Sequence, residues 1–195
     1  MCLVSFFNSA YLGTPPWDIG RPQGEFVKLE ETNRILGDVL DVGCGTGENA
    51  LYLAGRGHKV LGVDSAELAI KKAKQKARER GIAAEFRARD ALRLGDLGRR
   101  FDTVIDCGFF HTLSNGGRVI FEQNLASVLR NGGRYFMLAF SDEEPDWGGP
   151  RRVTKREIRD TFSAGWQVES IKKARFEDHS HGDGGKAWMS AIRRI

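Results

Sequence analysis

The chain predicts an α/β fold, in which a mostly parallel seven-stranded sheet carries helices on both faces and ends in an antiparallel hairpin. Three observations carry this. Short apolar runs alternate with helix-period segments from residue 24 onward, the pattern of parallel strands joined by crossover helices. One run, Val39–Val42, ends in a glycine turn that opens the next helix. The last two strand-like runs have no helical pattern between them, so they pair back on each other.

A helical pattern over Gly24–Leu36 precedes the first strand, Val39–Val42, and a second helix follows over Glu48–Arg56. Strand Val60–Val63 leads to a helix over Ala66–Arg80, with Ser65 as its N-cap and Gly81 as its stop. Strands Glu85–Ala88 and Thr103–Asp106 come next, then a helix over Arg118–Leu129. Asn131-Gly132-Gly133 separates that helix from strand Tyr135–Phe140. A helix over Lys155–Phe162 precedes the final strands, Trp166–Phe176 and Lys186–Ile195. With 195 residues, 41% of them hydrophobic, the chain buries one full core. It reads as a single domain over 1–195, with 1–36 a lid segment and helix and 37–195 the core.

Gly43, Gly45 and Gly47 follow a G-x-G-x-G spacing. The dinucleotide fingerprint, G-x-G-x-x-G, seats a pyrophosphate on a helix N-terminus. Here Asp41 stands just ahead of the first glycine, where a carboxylate repels phosphate and suits a cation. That fits the amino group and sulfonium of S-adenosylmethionine (SAM). Asp64 ends the second strand seventeen residues past Gly47 and is placed to take both ribose hydroxyls. NAD enzymes share that carboxylate, so the glycine spacing is what disfavours a dehydrogenase.

The segments DVGCGTG, GVD and Ala88-Arg89-Asp90-Ala91 resemble the class I SAM-dependent methyltransferases, over most of the chain. Pro15-Pro16-Trp17-Asp18-Ile19-Gly20-Arg21-Pro22 resembles the amino-terminal PWDxGR segment of the thiol, halide and thiopurine methyltransferase group and its bacterial heterocycle-methylating relatives. The resemblance implies a Rossmann-like fold, SAM as cofactor and methyl transfer to a small-molecule S, O or N nucleophile. Ligands of such sheets bind beyond the carboxyl ends of the strands. The turn (Gly43, Cys44, Gly45, Gly47), Asp64-Ser65, Asp90-Ala91 and Asp106–His111 therefore converge on one crevice. By resemblance Asp90 meets the adenine amino group, with Ala91 giving a backbone contact. The plainer alternative is that Asp90 caps the next turn.

Asp106-Cys107-Gly108-Phe109-Phe110-His111 follows the fourth strand, where the family places residues closest to the transferred methyl. Phe109 and Phe110 wall an apolar pocket or join the core, and an adjacent pair is expected to split between these roles. His111 is open between a general base for a hydroxyl or nitrogen acceptor and a structural residue bonded in its loop. Trp17 lies in a proline-stiffened strap that either packs over the methionyl part of SAM, with Tyr11 nearby and Asp18 or Arg21 fixing it, or anchors the loop. Trp147 with Arg151 or Arg152 lines the acceptor pocket in a long irregular loop. Asp178-His179-Ser180-His181 is histidine-rich but has no fixed third ligand, so it reads as a flexible hairpin loop and no metal is expected.

The net charge of +4 is concentrated in Lys71–Arg80, which reads as the solvated face of an amphipathic helix. RNA methylation is thereby disfavoured but kept as an alternative, with a non-catalytic SAM-binding protein as another. Three cysteines without a C-x-x-C argue for reduced thiols. No apolar run reaches the roughly 20 residues of a membrane span, and Met1–Phe7 lacks a basic leader region. The expected location is the cytoplasm. Oligomeric state is not set by the sequence.

Overall fold

A computed structural model describes the backbone of residues 3–195 and the side chains from Phe6 onward. The expectations that fall on Met1 and Cys2, the start of the leader reading and the third thiol, lie outside the described residues. The strands are β1 (Val39–Val42), β2 (Val60–Asp64), β3 (Glu85–Ala88), β4 (Phe101–Cys107), β5 (Leu129–Phe140), β6 (Trp166–Phe176) and β7 (Gly185–Arg194). They form one seven-stranded sheet in the order β3-β2-β1-β4-β5-β7-β6. Strands β1 to β5 pair in parallel, and β7 runs antiparallel to both β5 and β6. The Rossmann-like α/β architecture is as expected. The helices are α1 (Leu3–Ala10), α2 (Gly24–Glu31), α3 (Glu48–Gly55), α4 (Glu67–Arg80), α5 (Asn115–Val128) and α6 (Lys155–Thr161).

The core lies in two apolar layers, because successive strand residues point to opposite faces of the sheet. Leu40, Val104 and Met137 pack in one layer, and their neighbours Val39, Ile105 and Phe136 in the other. In α4 the buried stripe is Ala69, Ile70, Ala73 and Ala77, with the basic side chains outward. Leu68, the residue before Ala69, packs with Tyr11 and Phe7 from the amino-terminal segment.

Several boundaries depart from expectation for local reasons. Helix α2 stops at Glu31 because Asn33 adopts a left-handed φ of 54°, which an asparagine tolerates. Ser65 is not the cap of α4: Asp64 Oδ1 accepts the Ala66 amide at 2.8 Å instead. Asn131-Gly132-Gly133 does not separate a helix from β5 but bulges within it. Leu129 already pairs with Phe101, and the register shifts before Thr103 meets Arg134. Helix α1 and two short 3₁₀ turns, Ala91–Leu97 and Phe110–Thr112, were not signalled by periodicity. No helix among the described residues is long and apolar enough to cross a membrane.

Candidate functional site

The strand order reverses between β1 and β4, and the predicted turns gather beyond their carboxyl ends. Asp41, near the tip of β1, is 1% exposed and neither carboxylate oxygen has a hydrogen-bond partner among the described residues. Burial, followed by the charges of Asp106 and Asp64, pushes its pKa well up. A buried carboxylate without donors is costly. A ligand ammonium is the kind of group that offsets that cost.

Asp64 closes β2 and ties two turns together. Its Oδ2 accepts the Gly45 amide at 2.9 Å while Oδ1 accepts that of Ala66. Burial raises its pKa and these two amides oppose the rise. Each oxygen keeps a second lone pair for a hydroxyl donor. Ser65 stands beside it half-buried.

The glycines of the turn leave room for the protein's own chain. A Cβ on Gly43, at φ 64°, would sit 2.8 Å from the Phe109 Cβ, and one on Gly45, at φ 53°, 2.7 Å from the Tyr11 hydroxyl. A side chain on Gly47 would strike Phe86. Cys44 turns its sulfur toward Gly62, and burial raises its thiol pKa.

The strap is fixed at both ends. Trp17 donates its indole N–H to the Tyr11 hydroxyl at 2.9 Å and meets the Tyr11 and Phe7 rings edge-on. Thr46 of the glycine turn donates to Asp18 at 2.7 Å, and Lys76 donates to Thr46 and to Glu48. At the far end Arg21 pairs with Glu177, and the His179 amide donates to the Pro16 carbonyl at 2.9 Å. His181 pairs with Asp178 at 2.8 Å, so the β6–β7 loop is tied down rather than loose.

After β4 and β5 the ligand-facing readings of Asp106 and Arg151 are corrected, and the choices left open at Phe110 and His111 fall to the buried, structural side. Asp106 is fully buried and accepts from the Phe109 amide (2.7 Å), the Phe110 amide (3.1 Å) and the Tyr135 hydroxyl (2.7 Å). Its carboxylate shapes the turn and does not face a ligand, and burial raises its pKa to about 7. Phe110 is core, packed against Phe162 beneath the Arg118 guanidinium, while half-buried Phe109 faces Gly43. Of the pair, Phe110 is fully buried and Phe109 only partly so. His111 is 4% exposed, its Nδ1 accepts the Phe140 amide at 3.2 Å, and its ring stacks on Phe140 at 5.1 Å. Burial, aided by Arg152 and Arg118, lowers its pKa to about 3, which unsuits it as a general base near neutrality. Arg151 turns away to Asn115 and Glu157. Arg152 instead lies 4.4 Å from the Trp147 ring and 5.6 Å from that of Phe140.

Asp90 caps the turn that follows it, Oδ1 accepting the Leu92 amide at 2.8 Å, with Ala91 buried behind it. Trp147 is 45% exposed and donates to Glu144. Sequence reasoning placed Tyr11 at the strap but missed Thr46 and Lys76 there, and Arg118 and Phe140 beside His111. Arg118 had a signal: it occupies the stripe that Phe121, Leu125 and Val128 bury in α5, an odd place for a cation.

A family described as a methyltransferase domain matches residues 39–133. The 2-heptyl-1-hydroxyquinolin-4(1H)-one methyltransferase of Mycobacteroides abscessus is 38% identical, over 93% of this chain and 84% of that protein. A solved structure from work on conversion of a disulfide bond into a thioacetal group during echinomycin biosynthesis has a TM-score of 0.89 at 36% identity, covering 98% of this chain and 93% of its own. The fold is shared with magnesium protoporphyrin IX methyltransferase of Synechocystis with bound SAM, at TM-score 0.68 and 23% identity over 88% of this chain and 77% of that one.

Proposed function

The chain belongs to the class I SAM-dependent methyltransferases, and from that premise we propose that it transfers the methyl group of SAM to a small-molecule nucleophile held between the strap and the loop after β5. We take 1–195 as one such domain, with 1–36 its lid. SAM supplies an electrophilic methyl on a sulfonium; the chain's own residues align the acceptor behind it and keep water out. Alignment of that kind is worth ~7–11 kcal/mol of barrier. In this reading Asp41 takes the amino group, Asp64 and Ser65 the ribose, Asp90 the adenine edge through its second oxygen, and Phe109 the wall beside the sulfonium.

The observation that carries a small acceptor is the covering of the crevice. The strap runs from Thr46 of the glycine turn to the β6–β7 loop, where His179 meets Pro16. A folded RNA would have to displace it. The relative acting on a hydroxyquinolone supports a heterocyclic acceptor. The free thiols of Cys44 and Cys107 suit a reducing compartment such as the cytoplasm.

The test is a transfer screen with methyl-labelled SAM against thiols, phenols, N-hydroxy heterocycles and total RNA. Label on a small molecule, with S-adenosylhomocysteine formed in equal amount, supports the proposal. Label in RNA alone, or tight SAM binding with no transfer, overturns it.

A further inference from the structure

Resting on that reading, we propose that His111 touches the acceptor as a hydrogen-bond donor through Nε2, and that the site takes acceptors that arrive as anions, thiolates or heterocyclic oxyanions, with no base to ionise them. The tautomer is set at Nδ1. The Phe140 amide donates to it at 3.2 Å, which requires a lone pair there. A neutral imidazole accepting at one nitrogen carries its proton on the other. His111 is therefore the Nε2–H tautomer. Its ring is fixed by the stack on Phe140, with planes 6° apart, and by the Phe176 ring at 5.7 Å.

Nε2 is free for a ligand. It makes no hydrogen bond among the described residues, yet it is absent from the fully buried unpartnered polar atoms. A Cβ at Gly108 would stand 3.1 Å from it and 3.0 Å from the Phe176 ring, so a side chain there would crowd Nε2.

The charged groups around the ring supply donors and no free proton acceptor. From α5, Arg118 leaves Nε and Nη2 unpartnered; from the loop after β5, Arg152 leaves Nε unpartnered. The carboxylates are engaged. Asp106 on β4 holds two amides and the Tyr135 hydroxyl, and Glu157 on α6 holds Arg118, Arg151 and Thr154. Glu144 accepts from Trp147 and Lys186, and Asp178 binds His181. The Cys107 thiol on β4 is pushed further from ionisation by burial.

The step then balances without a proton. A lone pair of the acceptor anion forms the bond to the methyl carbon, the carbon–sulfur bond of SAM breaks, and its electron pair stays on S-adenosylhomocysteine. Nε2–H holds the anion in line, and the Arg118 and Arg152 guanidinium groups add positive charge behind it.

Two measurements test this. The ¹⁵N–¹H correlation of the histidine rings is expected to show His111 as the Nε2–H tautomer, unchanged on acidification to about pH 5. A ring that protonates near its ordinary pKa of about 6.5 overturns the assignment whatever the enzyme does. Kinetics with an aryl thiol ionised throughout the range should give a flat pH profile, whereas an alkyl thiol of pKa about 8.5 should follow its own ionised fraction. His111→Asn, which can still accept the Phe140 amide, should raise the thiolate KM about tenfold or more without changing either profile, equal to about 1.4 kcal/mol. His111→Gln, which can reach the Nε2 position with an N–H, should recover part of it. With the alkyl thiol, turnover below its pKa that exceeds what its own ionised fraction allows, and that falls back to that fraction in His111→Asn, makes His111 a base and sinks the proposal. Unchanged kinetics in His111→Asn do the same. If neither thiol is methylated although SAM binds, the proposed function fails, and the NMR result still decides the tautomer.

Discussion

Asp41 and Arg118 are both buried, both ionisable and both short of partners, and they mark two halves of the molecule with opposite chemistry. The cofactor half is built at the tips of β1 and β2 from two carboxylates, Asp64, which two backbone amides partly satisfy, and Asp41, which has no hydrogen-bond partner among the described residues. The acceptor half is built from α5, the end of β5 and the following loop, and its unpartnered polar atoms are arginine nitrogens. A cationic donor and an anionic acceptor are what such halves would hold. Two kinds of protein architecture stand behind the difference. The first half is a contiguous strand-turn-helix motif whose geometry local sequence dictates; the second is assembled from side chains distant in the chain.

That contrast explains what the sequence made legible. Strands Val39–Val42, Glu85–Ala88 and Trp166–Phe176 were found to the residue, because glycines or irregular segments bound each apolar run. The convergence of the glycine turn with Asp64 followed from topology alone. Asp106 was misread because its carboxylate bonds the two amides that follow it, a local turn that resembles a ligand-facing aspartate in sequence. Nor was there a way to choose Arg151 over Arg152. Adjacent residues in a loop without period point in directions that only distant partners decide, here Asn115 and Glu157 for one and the Trp147 ring for the other. His111 looked like a base because its position is right. Its tautomer depends on an amide 29 residues away.

The largest effect expected in the cofactor half comes from Gly45→Val. A β-branched residue at φ 53° is strained by ~1–3 kcal/mol, and its side chain would push against the Tyr11 hydroxyl that anchors Trp17. SAM binding by calorimetry should be lost, with little change in helix content by circular dichroism. Normal affinity would detach the strap from the cofactor half.

Asp64→Ala comes next, because it removes the acceptor of two backbone amides as well as the ribose contact. SAM should bind about tenfold more weakly or worse, and urea unfolding should show a loss of ~1–3 kcal/mol. A folded variant with unchanged affinity would leave Asp64 as a brace only.

A smaller effect separates the halves by pH. His111 has a folded pKa near 3 against about 6.5 unfolded, so the unfolded chain binds the extra proton and stability falls as pH drops through that window. Asp106, raised to about 7, acts oppositely: the folded chain holds the extra proton between about pH 4 and 7, and stability rises on acidification there. In the wild type the two tend to cancel. His111→Asn removes one of them, so its stability relative to wild type should rise by up to ~1.4 kcal/mol per unit as pH falls from about 6.5 to 4. A constant difference across urea titrations at these values would mean that the His111 ring titrates normally.

The account as a whole rests on each half governing its own ligand, and a crossed pair of variants measures that directly. Asp41→Asn and Arg152→Gln are each assayed for SAM dissociation constant and acceptor KM. Asp41→Asn is expected to weaken SAM by about 10- to 100-fold, the loss of one charge-assisted contact, while the acceptor KM stays within about twofold. Its thermal midpoint without ligand should change little, since burial already favours the neutral form of the Asp41 carboxyl. Arg152→Gln is expected to raise the KM of an anionic acceptor several-fold and leave SAM affinity in place. Variants that move both constants together, or Asp41→Asn binding SAM as tightly as wild type, would contradict the division.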